Sequence, residues 1–183
     1  VRSGYDAVAI DVGPALTQTM QEQLVEIAFL ALHGPGGEDG AIQGFLETLG
    51  LPYTGSGVRA SAIGMHKVAT KTQLAAVGIP VPKGTVVLRG TAPSLARTLR
   101  TSKLTLPVVV KPASQGSTIG VTIVRQPSQW KEALRLAHQY DDEAMVEAFI
   151  PGHEVTVSLL SGADEAVTGL PAVEIVAPDG FYD

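Results

Sequence analysis

The sequence has no cysteine, few aromatic residues and no long apolar run. The missing cysteine and the missing apolar run each exclude a class of protein or of chemistry. Without cysteine, the 183-residue chain has neither disulfide bonds nor thiolate chemistry, which agrees with a cytoplasmic location. No apolar stretch approaches the length needed to cross a bilayer, and Val1 does not begin a signal peptide, so we expect no membrane partner. The apolar fraction of 45% is that of a globular protein with a sizeable core.

Positive charge is also missing from much of the chain. Apart from Arg2, every lysine and arginine lies between Arg59 and Arg135, while 10 of the 18 acidic residues follow Arg135. Binding of nucleic acid requires a broad basic face, so we expect no nucleic-acid partner. A basic middle followed by an acidic end suits a site for a polyanion with a bound cation, although solvated surface charge explains the same distribution.

The first third of the chain alternates strand and helix signals. An apolar run at residues 27–32 predicts a buried parallel strand, which ends in a glycine-rich loop at residues 33–40. Apolar residues at helical spacing then predict a helix over residues 42–49, with Gly50 as its stop. Residues 51–54 resume an extended path, and this order is typical of the βαβ unit of an open α/β sheet.

The rest of the chain has a mixed α+β pattern. One long helix is predicted from residue 58 to residue 77, since Gly78 and the following prolines force the chain to extend. Antiparallel hairpins then dominate. The other predicted elements are strands at residues 86–88, 108–112, 121–124, 144–150, 154–160 and 172–176, and helices around residues 95–99 and 127–137.

The hairpin between residues 108 and 124 is the most informative segment. An apolar strand ends in Lys111, and a loop of small hydroxylic and glycine residues follows. Gly116 and Gly120 allow close backbone approach, while Ser117 and Thr118 can donate to phosphate oxygens. Lys111 can reach the same anion as a point charge. The loop does not match the P-loop pattern, and an ordinary hairpin with a polar loop fits it equally well.

His33 and Glu38 are candidates for orienting a small charged substrate. They lie in the loop after a predicted buried strand, where open α/β sheets bind ligands. The amides of the following helix, which begins near Gly40, are expected to face the same crevice. Alternatively, Asp39 caps that helix and His33 is an ordinary loop histidine.

Lysines and carboxylates further along the chain form a second group of candidates. Lys67 and Lys71 lie one helical turn apart and, with Lys111, can neutralise a polyphosphate, unless they are simply solvated. Glu147 lies in an apolar strand, which indicates a contact with a ribose or an amine, although alternation also allows a solvated face. The backbone around Phe149 and its predecessor is expected to be free to pair with a purine edge.

Taken in order, these segments resemble D-alanine–D-alanine ligases, members of the ATP-grasp superfamily. Five motifs carry the resemblance: residues 30–40 (LALHGPGGEDG); residues 52–57 (PYTGSG) with Lys67; VKP at 110–112 with GSTIG at 116–120; VE at 146–147 with GHEVTV at 152–157; and FYD at 181–183, which is similar to the start of the family's mobile active-site loop. Five motifs in one order exclude chance.

The resemblance implies an ATP-grasp fold in three parts. Residues 1–66 would be the remainder of an open parallel-sheet N-terminal substrate domain. Residues 67–154 would be the central nucleotide-binding domain, and residues 155–183 the beginning of the C-terminal ATP-grasp domain. The family's magnesium carboxylates lie in its last third, so we expect no metal ligands in this chain and regard it as part of a larger enzyme.

The resemblance also assigns roles to residues. It implies that ATP is clamped between two antiparallel sheets, with lysines and the loop on its phosphates, a strand end on adenine and a glutamate on the ribose. The implied ATP-binding residues are Lys67, Lys111, Gly116, Ser117, Thr118, Glu147, Ala148, Phe149 and Glu154. The implied substrate-binding residues are His33 and Glu38, and the implied catalytic residues are Ser117 and Lys111.

The implied reaction is the ATP-dependent ligation of two D-alanine molecules through an acyl phosphate, for peptidoglycan synthesis, by a homodimer that uses magnesium or manganese. Such chemistry requires orientation and charge neutralisation more than a covalent nucleophile. Alternatives are another ATP-grasp carboxylate–amine ligase, including a D-alanine–D-lactate ligase, and a non-catalytic nucleotide-binding fragment. The chain departs from the family at His66, Gln115 and Ala148, where Asp, Glu and Lys are frequent.

Overall fold

A computed structural model describes residue 4 and residues 6–91, 93–162 and 166–176. The chain divides into two compact units, residues 1–62 and residues 63–183. The predicted division at residues 66 and 154 stays a prediction. The expected start of a mobile loop at residues 181–183 lies outside the described residues. No described helix is long and apolar enough to cross a membrane.

The first unit has a small core formed by its first two helices. Its helices are α1 (Leu16–Glu22), α2 (Ala41–Leu49) and most of α3 (Val58–Met65). Met20, Ile42 and Leu46 are buried together. Helix α2 ends at Gly50 in the left-handed conformation, as its sequence predicts, because glycine adopts this C-terminal cap without strain.

The predicted buried strand at residues 27–32 is only partly confirmed. Ala28 pairs with Tyr53 in an isolated parallel bridge, so the two extended segments run in the predicted direction. Even-numbered side chains of this segment pack on the core, whereas Ile27 is 60% exposed and Phe29 is 82% exposed. Burial on both faces was therefore wrong, because the described part of the unit covers only one face.

The second unit is built on a four-stranded antiparallel sheet, which confirms the α+β pattern. Its strands are β1 (Gly84–Leu88), β2 (Val108–Pro112), β3 (Thr122–Val124) and β4 (Glu143–Ala148), in the order β1-β4-β2-β3. Its helices are α4 (Lys67–Ala76), α5 (Leu95–Ser102) and α6 (Trp130–Tyr140), the last preceded by a 3₁₀ turn at Pro127–Gln129. The hairpin between β2 and β3 is confirmed.

Alternation along β2 separates the core from the candidate site. Val108 and Val110 are fully buried and pack with Trp130 and other residues of α6. Each such valine contributes roughly 1.5–3 kcal/mol relative to an exposed one. Since neighbouring side chains of a strand point to opposite faces, Val109 and Lys111 lie on the other face, where both are only half-buried.

The helix predicted over residues 58–77 is two helices separated by His66. This residue is extended, with φ −94° and ψ 99°, and its Nδ1 accepts a hydrogen bond of 3.2 Å from the amide of Ala69. The amide of Lys67 donates to the carbonyl of Ala113 at 2.8 Å. The helix breaks here because an imidazole and a distant carbonyl satisfy amides that a continuous helix would pair internally.

Two short antiparallel pairs complete the described chain. Strand β5 (Glu154–Thr156) pairs with β8 (Val173–Ile175), and β6 (Leu159–Ser161) pairs with β7 (Val167–Gly169). The predicted strand over residues 154–160 is therefore divided in two, and β7 was not predicted. The turn predicted at residues 162–165 falls mostly outside the described residues.

Candidate functional site

A cleft of about 390 Å³ lies beside the β2–β3 hairpin. It brings together seven residues predicted from the sequence: Lys67, Lys111, Gly116, Ser117, Thr118, Phe149 and Glu154. Gln115 and apolar side chains, among them Val109 and Ile123, line the rest of it. Glu147 and Ala148 do not belong to its lining. The cleft therefore combines cationic, hydrogen-bonding and apolar surfaces, as a nucleotide requires.

The loop between β2 and β3 presents free backbone amides. Ser117 and Thr118 have φ values of 48° and 61°. This left-handed region costs a residue with a Cβ about 1–2 kcal/mol. Within the described residues, the amides of Gly116, Ser117 and Thr118 have no acceptor. Successive free amides of this kind form a concave nest for an anion, which favours the anion-loop interpretation over an ordinary hairpin.

Asp141 anchors the start of this loop. Its Oδ2 accepts from the amide of Ser114 at 2.8 Å, and its Oδ1 accepts from the amide of Glu143 at 3.0 Å. Burial opposes ionisation of Asp141, but the hydrogen bonds from these amides outweigh it and lower its pKa. The ionised carboxylate therefore ties the phosphate-loop candidate to the start of β4. Sequence reasoning did not identify Asp141.

Replacing Asp141 with asparagine is expected to reduce the dependence of stability on pH. Because the folded-state pKa lies below its ordinary value of 3.8, the carboxylate adds stability above that value, and this stability is lost as the pH falls through the lowered pKa. Urea unfolding at several acidic pH values measures the free energy of unfolding of wild type and D141N. The two values should converge at low pH. Asp142→Asn, at an exposed neighbour, is the matched control. A constant difference between D141N and wild type would contradict the assignment.

Lys67 and Lys111 supply the positive charge of the cleft. The ammonium of Lys67 donates to the carbonyl of Gln115, within the loop. Burial and the neighbouring Lys111 ammonium lower the pKa of Lys67, while Asp141 and Glu147 act in the opposite direction. A bound anion would favour the charged form of Lys67. The alternative in which Lys67 is simply solvated is wrong.

Glu147 is buried and holds two lysines. Its Oε2 lies 2.6 Å from Nζ of Lys71, and its Oε1 lies 2.5 Å from Nζ of Lys111. Burial disfavours the carboxylate, but Lys111 and Lys71 outweigh it and lower the pKa of Glu147. The predicted amine contact is thus an internal ion pair, and the alternative of a solvated face is wrong, since Glu147 is 6% exposed.

The backbone after Glu147 differs from the prediction. The amide of Ala148 donates to the carbonyl of Lys83 at 2.8 Å, and that of Phe149 donates to the carbonyl of Pro107 at 3.3 Å. Neither amide is free, because β4 lies between two neighbouring strands. The next amide, of Ile150, has no acceptor among the described residues and is the first available to a ligand.

Phe149 offers an aromatic surface to the cleft. The guanidinium of Arg125 lies 5.4 Å from the centroid of its ring, which is a cation–π contact. Such a contact restricts the ring before any ligand arrives. Sequence reasoning identified Phe149 but not Arg125, because their 24-residue separation carries no local signal.

The predicted substrate residues His33 and Glu38 belong to the first unit, whereas every residue that lines the cleft belongs to the second. Both side chains are exposed. Oε2 of Glu38 accepts from the amide of Gly34 at 2.7 Å, so this carboxylate already shapes its own loop.

The amides at the start of α2 are used within the same loop. Asp39 accepts from the amides of Gly36 at 2.8 Å and Ala41 at 3.0 Å, and these bonds lower its pKa. The amide of Ile42 donates to the carbonyl of Gly36 at 3.2 Å. The expectation that these helix amides face a crevice is therefore wrong for Ala41 and Ile42. The cap predicted at Asp39 is also wrong: the N-cap residue is Gly40, which has no side-chain cap hydrogen bond, and Asp39 binds amides from the position before it.

The antiparallel sheet and the lysine-containing cleft beside its loop are those of an ATP-grasp protein, which confirms the predicted fold class. Residues 7–56 match the family model described as D-ala D-ala ligase N-terminus, and residues 74–183 match the one described as D-ala D-ala ligase C-terminus. The chain belongs to the D-ala D-ala ligase family.

Individual relatives agree with this assignment. The D-alanine–D-alanine ligase of Citrifermentans bemidjiense is 47% identical over 183 residues, which is 100% of this chain and 56% of the relative. The structure of the D-alanine–D-alanine ligase from Coxiella burnetii superposes with a TM-score of 0.74 at 36% identity, covering 82% of this chain and 44% of that one. The structure of a D-Ala:D-Ser ligase from Enterococcus faecalis superposes with a TM-score of 0.78 at 33% identity, covering 87% of this chain and 46% of that one. The chain spans about half the length of the curated relatives it matches.

Proposed function

We propose that the protein containing this chain ligates two D-alanine molecules to D-alanyl-D-alanine in an ATP-dependent reaction, for peptidoglycan precursor synthesis. The observation that carries the proposal is the cleft in which two lysines and a nest of free amides surround one volume. Family membership directs the choice of substrate. A cytoplasmic homodimer completes the proposal and rests on the resemblance alone.

In the proposed reaction, a carboxylate oxygen of the first D-alanine attacks the γ-phosphorus of ATP, and ADP leaves. The amine of the second D-alanine then attacks the acyl carbon, phosphate leaves and the amine loses a proton. Lys67, Lys111 and the amide nest offset the charge on the transferred phosphoryl group, with Ser117 near the reacting atoms. His33 and Glu38 position the first D-alanine.

The nucleoside end of ATP is assigned to the other surfaces of the cleft. Phe149 packs on the purine, and the free amide of Ile150 donates to a purine ring nitrogen. Ala148 is left out of this contact, because its amide donates to the carbonyl of Lys83 and it does not line the cleft. Glu154 accepts from the ribose hydroxyls. Glu147 acts through the lysines that it holds, since both of its oxygens are engaged.

Magnesium or manganese belongs to the proposal as the cation that accompanies ATP. Among the described residues, no group of three or more His, Asp or Glu side chains is arranged to hold a metal ion. The side chains described here therefore do not fit a protein-held metal site. No step of the proposed reaction is assigned to such a site.

Phosphate release tests the proposal directly. The full-length protein with MgATP and D-alanine is expected to release phosphate and form the dipeptide, whereas L-alanine in place of D-alanine is not expected to support release. ATP binding without phosphate release would support a non-catalytic nucleotide-binding protein instead. Equal release with L-alanine would contradict the assigned substrate.

A second candidate differs only in the acceptor. Structural similarity to a D-Ala:D-Ser ligase favours testing D-serine, and D-lactate is the other acceptor that the resemblance raises. Each compound is offered together with D-alanine, and mass spectrometry identifies the product. Faster formation of a mixed product than of D-alanyl-D-alanine would replace the first proposal with this one.

A further inference from the structure

Lys71 and Lys111 are connected through one buried carboxylate. Lys71 lies on α4 and Lys111 on β2, and each forms an ion pair with a different oxygen of Glu147. The side chains of Lys71, Lys111 and Glu147 are 20%, 22% and 8% exposed, so water screens these pairs weakly. Lys111 lines the cleft and Lys71 does not. A change in the charge or position of Lys71 therefore alters the ion pair between Glu147 and Lys111, and so the positive charge of the cleft.

Gly84 leaves the space that Lys71 uses to reach Glu147. Gly84 lies opposite Glu147 in the β1–β4 pairing. A Cβ at residue 84 would lie 3.2 Å from Nζ of Lys71, 3.1 Å from Cβ of Glu147 and 2.9 Å from the carbonyl oxygen of Val146. The last of these atoms is backbone and cannot give way easily. A larger residue at this position would push Lys71 away from its partner.

The balance of charge shows what Lys71 contributes. Two ammonium groups share one carboxylate, so the cluster keeps a net positive charge, and Lys67 adds to it. Without Lys71, Glu147 and Lys111 would form a neutral pair. Both oxygens of Glu147 would then compete with a ligand for the Lys111 ammonium, and the cleft would attract a polyanion less strongly.

We propose that Lys71 is a positioning residue for a nucleoside triphosphate: it shares the Glu147 carboxylate so that the Lys111 ammonium stays available to phosphate oxygens, and Gly84 makes room for this arrangement. The inference rests on the proposed function and deepens it, because it concerns the triphosphate part of the same site. Lys71 touches no reacting atom in this scheme and acts through Glu147 and Lys111.

Calorimetric titration of the full-length protein with ATP and with adenosine separates this role from a structural one. Lys71→Met is expected to weaken ATP binding about tenfold and to leave adenosine binding unchanged within about twofold, since only the phosphates depend on Lys111. Lys71→Arg, which keeps the charge, should restore most of the ATP affinity. Gly84→Ala should reproduce the loss. Lys131→Met, at an exposed lysine of α6, is the matched control.

Circular dichroism and thermal unfolding show whether each variant is folded. If Lys71→Met does not fold, Gly84→Ala tests the same connection from Lys71 through Glu147 to Lys111. ATP affinity equal to that of Lys131→Met overturns the inference. Parallel loss of ATP and adenosine also overturns it, because it indicates a structural role. If Lys111→Met weakens ATP binding while Lys71→Met does not, the inference fails and the proposed function stands. A wild-type protein that binds no ATP contradicts both.

Discussion

Replacing Lys111 with alanine is expected to weaken ATP binding by about 1.5–3 kcal/mol, which is roughly tenfold to more than a hundredfold in Kd. Lys111 lies at the end of β2 with its ammonium in the cleft, beside Lys67 and the nest of free amides. Its loss removes a charge-assisted hydrogen bond that no other side chain of β2 can replace. Calorimetric titration with MgATP measures the effect.

The fold is expected to survive this change, because Glu147 keeps Lys71 as a partner and is not left as an unpaired buried charge. Lys131→Ala, on the exposed face of α6, is the control for the loss of one lysine. An ATP affinity equal to that of the control would exclude Lys111 from the phosphate site.

Replacing Gly120 with valine is expected to lower the free energy of unfolding by about 2–4 kcal/mol. Gly120 has a φ of 71°, and an added Cβ would lie 2.8 Å from Cγ of Pro112 and 2.9 Å from Cδ2 of Tyr140. Pro112 is fully buried at the end of β2 and cannot move aside. Backbone strain and overpacking therefore act together. Urea unfolding followed by circular dichroism measures the loss.

Gly116→Val is the matched control in the same loop. A Cβ there would meet nothing within 4 Å. We expect near-wild-type stability but impaired turnover, because the valine would crowd an amide that the proposal places on phosphate. Equal destabilisation by both valines would contradict the distinction between these glycines. Wild-type kinetics in Gly116→Val would make the loop a simple connector.

The order of elements in the second unit was readable from local patterns. The β2–β3 hairpin, the stop at Gly78 and the buried face of α6 follow from alternation, turn residues and helical spacing, which act over a few residues. Where an element depends on distant partners, the prediction failed. His66 interrupts a helical pattern because Ala113, from another segment, accepts the amide that follows it.

In the candidate site, too, the predictions failed where a residue depends on partners that are distant in the sequence. Seven of the predicted residues line one cleft. They could be predicted because each belongs to one of the ordered motifs that resemble the family or, for Phe149, lies between the two parts of one. The free amide of Ile150 was not predicted, since which amides of β4 are occupied depends on the strands beside it. Arg125 and Asp141 were missed for a similar reason: their partners are Phe149 and the amide of Ser114.

Local patterns and ordered motifs in the amino-acid sequence were enough to establish the alternation that buries Val108 and Val110, the glycine-rich loop after Lys111 and the membership of an ATP-grasp family. The pairing of the charges, in contrast, depends on the three-dimensional fold. Lys71 and Glu147 are 76 residues apart, and neither periodicity nor spacing indicates that they meet. The fold brings Lys71 of α4 to Glu147 of β4 in the space left by Gly84, and burial of Glu147 then makes the pairing of their charges necessary.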